Sequence, residues 1–447
     1  MGKSISKETS TAFAQNVQAH PYFHTLQSSV LKNGIKASVE NLNAKIAMQP
    51  VFSNEIKTGG VTNQERSGRC WMFAALNTFR HTISNDLNAP DFELSQNHTN
   101  FWDKFEKANY FFESIIRTAD RDIDDRLVAW LLETPQQDGG QWDMLVSLIQ
   151  KYGVVPKTAM PETFQSSQSA DLNGLLNSRL RKGAASLRAA LQENATDEEV
   201  AVLKNSLLEE IYRILVYSLG EPPRTFDFEY RDKDGNFHQE LGLTPQSFYD
   251  TYIGIDLSDY VPLINAPTAD KPFGKTYTVD FLGNVIEGQA IKYLNVEIET
   301  LKAAAAKQIE AGESVWFGCD VGKFSERSQG VMDTAIYDYQ ALFDLQPELT
   351  KTERLDYKDS LLTHAMVLTG FNRKNDTIDR WKVENSWGEK VGKKGYFVMS
   401  DAWMDAYTFQ VVVHKKHLPE DLQTAFEQDP TVLKPWDPMG SLALMRG

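Results

Sequence analysis

Cys70 is the residue in this chain whose type and setting best suit nucleophilic chemistry. It is one of only two cysteines among 447 residues, and it stands between the turn Ser67-Gly68-Arg69 and the apolar helix former WMFAAL at 71–76. This context predicts that Cys70 begins a helix capped by the preceding turn. The unpaired N–H groups at a helix start favour a thiolate over a thiol. The other cysteine, Cys319, lies in the apolar run VWFGC, which is typical of an inert core thiol.

His364 and Asn385 are the candidates for a base and for the residue that orients it. A lone histidine in an alternating stretch is more often a buried core residue. His364 stands out because an apolar run ending in a glycine follows it, and an Asn-Ser-Trp block begins at Asn385. His414 and His417 are separated by two lysines and lack a cluster of further ligands. We therefore expect no metal site and no cofactor.

Four blocks of sequence carry a resemblance to a known family. They are SGRCWMF at 67–73, VWFGCDVG at 315–322, NSWGEKVGKKGYFVMSDAWMD at 385–405 and WDPMG at 436–440. In this order they resemble the papain-like cysteine peptidases, and more closely the bleomycin hydrolase or aminopeptidase C family. The resemblance covers most of the chain. It implies an α+β, papain-like two-lobed fold with an N-terminal arm and large helical and β insertions.

The resemblance also implies a role for each residue of the site. Cys70 attacks the scissile carbonyl and forms a thioester acyl-enzyme. His364 acts as general acid and base, and Asn385 accepts a hydrogen bond from its far ring nitrogen. Trp387 shields that contact from water. Gln64 donates to the oxyanion beside the backbone N–H of Cys70.

Two further elements of the family bind or limit the substrate. A Gly-Gly pair lets the substrate backbone approach, a role that falls here on Gly139 and Gly140, although an ordinary loop is the alternative. In the family the chain end lies in its own cleft, where its carboxylate blocks the non-primed subsites and pairs with the substrate's α-ammonium. Here seven residues, 441–447, follow the family tail. We expect them to be trimmed; untrimmed, they leave an oligo-endopeptidase as the alternative.

Helical and strand periodicity divides the chain into segments. We expect helices from Ser6 to about Gln18 and over 97–116, 122–132, 142–152 and 296–311, an amphipathic helix pair over 171–220, and a strand at 226–231 entering a hairpin turn. The expected units are the N-terminal arm (1–61), the left lobe with the Cys helix (62–170), the helical insertion (171–222), the β-rich insertion with the start of the right lobe (223–300), the right lobe with His and Asn (301–420), and the C-terminal tail entering the cleft (421–447).

Composition excludes several classes of function. The chain is 41% hydrophobic and 24% charged, which is typical of a globular protein with a sizeable core. No run approaches the roughly 18 apolar residues of a membrane span, so we expect no membrane partner. The net charge of −15 argues against nucleic-acid binding. The few cysteines and a polar N-terminal segment predict a cytoplasmic location.

We therefore predict a cysteine aminopeptidase that hydrolyses N-terminal residues from oligopeptides. Peptides are the expected partners, and the resemblance implies a homo-oligomer, a hexamer in related members. A transglutaminase-like acyl transferase is disfavoured because its partner residue is usually aspartate, where this chain has Asn385. A non-enzymatic scaffold is disfavoured because every catalytic position is filled.

Overall fold

The computed structural model describes residues 4–346 and 348–444, which form helices around one large sheet. The helices, α1 to α17 in chain order, are Lys7–Gln18, Phe23–Asn33, Ile35–Val39, Leu42–Ala47, Cys70–Asp86, Gln96–Arg117, Arg126–Glu133, Trp142–Tyr152, Phe164–Ser167, Ala170–Gln192, Asp197–Leu219, Pro245–Tyr252, Ile298–Glu310, Tyr339–Phe343, Lys351–Asp356, Asp401–Tyr407 and Glu420–Phe426. Short 3-10 helices lie at Leu257–Asp259, Lys415–His417 and Pro438–Leu444.

The strands form one extended sheet and a separate hairpin. In chain order β1 to β14 are Asn54–Glu55, Phe226–Arg231, Phe237–Leu243, Tyr260–Ile264, Thr276–Val279, Tyr293–Asn295, Val315–Cys319, Ser325–Glu326, Val331–Met332, His364–Lys374, Thr377–Glu384, Tyr396–Ser400, Thr408–His414 and Thr431–Leu433. The sheet has the order β14-β5-β6-β4-β13-β7-β10-β11-β12-β9-β8, and β1 adds to β10. Strands β2 and β3 pair only with each other in the described part of the chain.

The middle of the sheet, from β13 through β7 and β10 to β11 and β12, is antiparallel. These strands are apolar on both faces because each face is covered. Trp316 packs in a core with α5 and α8, whereas its neighbour Phe317 packs in a second core with α13 and α16. Side chains alternate along a strand, so adjacent residues serve opposite cores. The sheet therefore lies between two helical layers, and His364 is the first residue of β10, one of its middle strands.

A third core joins the helices outside the sheet. Helices α6, α10 and α11 pack against one another through buried apolar side chains, among them Phe112, Leu176, Leu187, Ile211 and Leu215. This packing confirms the predicted amphipathic pair, because both stripes face α6. The predicted hairpin is also confirmed, with the turn between β2 and β3.

The first helices of the chain agree with the sequence prediction at α1 and differ from it at α2 to α4 and at α7. The helix from Ser6 is confirmed, and the Ser6 hydroxyl caps it by accepting from the backbone N–H of Thr9. Three helices that the periodicity did not predict, α2, α3 and α4, follow it; Phe23, Leu26 and Val30 have helical spacing in α2. The predicted helix at 122–132 begins later, at Arg126, because the Asp125 carboxylate caps it.

No helix within the described residues has the length and apolar content needed to cross a membrane.

Candidate active site

Cys70 is the first residue of α5, as predicted, and only 3% of it is exposed. The expected cap is wrong, because Arg69 takes the N-cap position without a capping side-chain hydrogen bond. The Ser67 hydroxyl instead donates to the Gln64 carbonyl and accepts from the Arg69 side chain. The Ser67 hydrogen bonds thus hold the turn before Cys70 in place, and they do not cap the helix.

His364 and Asn385 meet at the end of the β10–β11 hairpin. The His364 Nε2 donates to Asn385 Oδ1 at 2.9 Å, and the backbone N–H of Ser386 donates to the same oxygen at 2.8 Å. Two donors on one oxygen fix the orientation of the amide. Because a neutral imidazole carries one proton, the Nδ1 of His364 is left as the acceptor.

Strand β10 also brings this pair to the nucleophile. The backbone N–H of Ala365, the residue after His364, lies near enough to the Cys70 sulfur to act to lower the pKa of its thiol. His364 lies opposite Cys319 in the pairing of β10 with β7, so strand β7 holds its backbone on one side. The structure therefore joins the imidazole of His364 to the carboxamide of Asn385 and places the residue after His364 near the Cys70 sulfur.

Burial controls the charge of the thiol and the imidazole. It raises the pKa of the Cys70 thiol to about 11, although the backbone N–H groups of Ala365, Trp71 and Cys70 act in the opposite direction. Burial also lowers the pKa of His364 to about 4, against the hydrogen bond to Asn385. Each group alone resists becoming charged in the closed cleft.

Trp387 lies against the imidazole. Its ring centroid is 4.9 Å from that of His364, with the planes inclined at 32°. The guanidinium of Arg327 lies 4.2 Å from the Trp387 ring. The indole thus lies against the His364 ring, and its shielding of the His364–Asn385 contact stays a prediction.

Gln64 is buried and is attached to the Asn-Ser-Trp block. Its Oε1 accepts from the Ser386 hydroxyl at 2.7 Å, and its backbone N–H donates to the Ser386 carbonyl at 2.8 Å. Its Nε2 donates to the Ser67 carbonyl. An amide nitrogen carries two hydrogens, so one remains for an oxyanion.

The two glycines of the 138–142 turn face different neighbours. A Cβ on Gly140 would lie 2.4 Å from the Trp71 ring, whereas a Cβ on Gly139 would lie 2.2 Å from the Leu442 carbonyl oxygen. Gly140 therefore allows close packing on the Cys helix. Gly139 allows close approach of another backbone, and in this structure that backbone is the chain's own tail.

The tail is seated deeply beside the site. Met439, Leu442 and Ala443 are buried in the same core as Cys70. The Ser441 hydroxyl donates to the Leu362 carbonyl at 2.8 Å. The trimming of residues 441–447, which would create the carboxylate predicted to pair with substrate, stays a prediction, and residues 445–447 lie outside the described residues.

Sequence reasoning missed a buried ion cluster directly before Asn385. Glu384 is 1% exposed, and its carboxylate lies 2.8 Å from Arg80 and 2.9 Å from His81. Burial raises the pKa of Glu384, but His81 and Arg80 outweigh it and hold that pKa below its usual value. The sequence signal for this cluster was Glu384 itself, a charged residue at an inward-facing position at the end of an apolar strand.

A second missed cluster lies under the glycine turn. Lys104 is fully buried on α6 and pairs with Asp138 at 2.7 Å. Its spacing from Phe101 and Ala108, both buried, places it on the apolar face of the helix. That spacing was readable in the sequence, and a lysine there requires a buried acceptor.

The remaining candidates lie outside this site. Cys319 is fully buried, and burial raises the pKa of its thiol well above the usual value, which confirms the core interpretation. His414 lies near Asp259, and His417 lies near Glu313. No group of side chains in the described parts of the chain has the arrangement of a metal site.

Comparisons with known proteins agree with this geometry. The model of the Peptidase C1-like family matches residues 4–440. Aminopeptidase C of Listeria monocytogenes serovar 1/2a is 61% identical over 444 residues, covering 99% of this chain and 100% of that protein. Aminopeptidase C of Streptococcus thermophilus is 51% identical over 441 residues, covering 98% and 99%. The crystal structure of PepW from Lactobacillus rhamnosis HN001 aligns with a TM-score of 0.97 at 56% identity, covering 98% and 99%.

The chain is therefore a cysteine peptidase, and the predicted papain-like α+β fold is confirmed. It belongs to the Peptidase C1-like family, in the branch of aminopeptidase C and bleomycin hydrolase.

Proposed function

We propose that this chain is a cysteine aminopeptidase that removes N-terminal residues from oligopeptides. The observation that carries the proposal is the bond from His364 to Asn385, on a strand whose next residue, Ala365, lies near the Cys70 sulfur at the start of α5. That arrangement gives a thiol a base of fixed tautomer, which peptide hydrolysis by a cysteine requires.

In the proposed mechanism His364 Nδ1 takes the proton of Cys70, and the sulfur attacks the scissile carbonyl. The resulting oxyanion accepts hydrogen bonds from the Cys70 backbone N–H and the Gln64 side chain. Collapse breaks the C–N bond, and His364 returns the proton to the leaving amine. A water molecule, deprotonated by His364, then attacks the thioester and releases the acid and the thiol.

The exopeptidase character is assigned to the tail. The supporting observation is the close approach of Leu442 to Gly139, on the glycine turn expected to receive an extended substrate. A tail in that place leaves room for one residue before the scissile bond. A chain-end carboxylate in a partly desolvated cleft would favour a substrate with a free α-ammonium.

Peptide hydrolysis can be tested with matched fluorogenic aminoacyl substrates that carry either a free or an acetylated amine. We expect fast hydrolysis of the free substrates, little hydrolysis of the acetylated ones, and loss of activity on treatment with iodoacetamide. Cys70→Ser should abolish turnover with the fold intact, whereas Cys319→Ala should retain it. Preference for acetylated peptides would establish the alternative, an oligo-endopeptidase whose tail leaves the non-primed subsites open.

We further infer that the chain forms a homo-oligomer, a hexamer by family resemblance, in the cytoplasm. The supporting feature is helix α1, none of whose residues is buried although Phe13 and Val17 are apolar. Exposed apolar residues on a segment of this kind favour contact with a second copy. Native mass spectrometry should show six chains, and removal of residues 1–22 should dissociate them. The two free thiols, Cys70 and Cys319, suit a reducing compartment.

A further inference from the structure

Two buried lysines on α6 hold the glycine turn from inside the protein. Lys104 is fully buried and Lys107 is 6% exposed. The Lys104 Nζ donates to the Asp138 carboxylate at 2.7 Å, and the Lys107 Nζ donates to the Gly139 carbonyl at 2.6 Å. Lys107 also pairs with Asp103 at 2.6 Å. The turn that carries both glycines is thus bonded to two ammonium groups.

The same turn is bonded to both sides of the nucleophile. The Asp138 carboxylate accepts from the backbone N–H of Gly68 at 2.9 Å, two residues before Cys70. The Asp138 carbonyl accepts from the indole N–H of Trp71 at 2.7 Å, one residue after it. Any movement of the turn would therefore break contacts to the start of the Cys helix.

On its other side the turn faces the tail. The Leu442 carbonyl lies where a Cβ of Gly139 would be. The Gly139 carbonyl points to Lys107, and in a trans peptide the following N–H, that of Gly140, points the opposite way. The bond to Lys107 thus directs the Gly139 carbonyl into the protein interior and leaves the N–H of Gly140 on the opposite side.

We propose that Lys107 and Lys104 are positioning residues, which fix the glycine turn so that the tail and the Cys70 sulfur keep a set separation. The inference deepens the proposed function, because it concerns the part of the site that would measure one residue of substrate. Burying ammonium groups is costly unless each finds several acceptors, and such groups are retained where they specify one arrangement. Burial lowers the pKa of Lys107, and Asp103 opposes that shift.

Lys107→Met tests the proposal, and Lys302→Met is its control. Lys302 is also buried, on α13, and its ion pairs are with Glu299, Asp401 and Asp405 rather than with the glycine turn. Loss of a hydrogen bond to a charged group typically changes an equilibrium about tenfold or more. We therefore expect the rate on acetylated relative to free substrates to rise at least about tenfold in Lys107→Met and to stay unchanged in Lys302→Met. If Lys107→Met fails to fold, Asp103→Asn/Lys107→Met removes both charges.

A second measurement follows the tail without using activity. In a Cys70→Ser background, Ser441→Cys places a thiol on the tail for labelling by a maleimide. We expect labelling at least about tenfold faster when Lys107→Met is added, and unchanged labelling with Lys302→Met. Equal labelling in all three would overturn the positioning role. Faster labelling in a protein that never prefers free amines would support positioning and reject the aminopeptidase proposal, so the two failures are distinct.

Discussion

Gly139→Ala should loosen the tail and change which peptides are cut. The new Cβ would lie 2.2 Å from the Leu442 carbonyl oxygen and 3.1 Å from a backbone carbon of Ala443. Carbon and oxygen atoms rest at about 3.5 Å, so one backbone must move by roughly 1 Å. Both atoms in the contact are backbone or Cβ atoms, and neither can escape by a change of rotamer.

The size of the effect follows from the competing costs. Overpacking of this kind costs about 1–3 kcal/mol. Burial of a leucine such as Leu442 contributes about 1.5–3 kcal/mol, so the strain is comparable to what holds the tail in place. If movement of the tail relieves the roughly 1–3 kcal/mol of strain, the population of molecules with the tail displaced and the cleft open would increase by about 5- to 150-fold.

The assay is the ratio of kcat/KM for acetylated and free forms of one fluorogenic substrate. We expect this ratio to rise within that range in Gly139→Ala. Gly174→Ala is the matched control, because nothing lies within 4 Å of its added Cβ and alanine favours the α10 helix around it. An unchanged ratio in Gly139→Ala, together with an unchanged melting temperature, would refute the packing argument.

Three further predictions concern Asn385, His364 and the neighbouring Glu384. Asn385→Ala should lower kcat by about 10- to 100-fold while iodoacetamide still labels the enzyme, because orientation of the ring is lost and the thiol is not; full activity would remove Asn385 from the mechanism. Because burial lowers the pKa of His364 from 6.5 to about 4, the unfolded chain binds the proton first, and stability should fall as pH drops from 6.5 to 4. Between pH 6.5 and pH 4, urea unfolding should show that His364→Gln loses up to about 3 kcal/mol less unfolding free energy than the unchanged protein. Equal losses in the two proteins would mean that the ring of His364 is protonated in the folded state. Glu384→Gln should cost about 3–5 kcal/mol of unfolding free energy, because it leaves Arg80 and His81 buried without their carboxylate; Glu209→Gln, at an exposed pair, should cost under about 1 kcal/mol.

The sequence by itself determined the candidate catalytic residues, most of the longer helices and the β2–β3 hairpin. Local pattern was sufficient for the start of α5 at Cys70, for α8 and for the β2–β3 hairpin, because each depends on neighbours along the chain. It was insufficient at α2, because the stretch of apolar residues at helical spacing is short there and none of the helix's residues is buried.

Tertiary structure alone decided what surrounds those residues. Glu384 pairs with Arg80 across 304 residues of sequence, and Asp138 pairs with Lys104 across 34. No local sequence pattern encodes such pairing. The close approach of Leu442 to Gly139 likewise depends on how the chain end crosses the fold. The same holds for the charge state of Cys70, since a helix start favours the thiolate whereas burial, a property of the whole packed molecule, raises the thiol pKa to about 11.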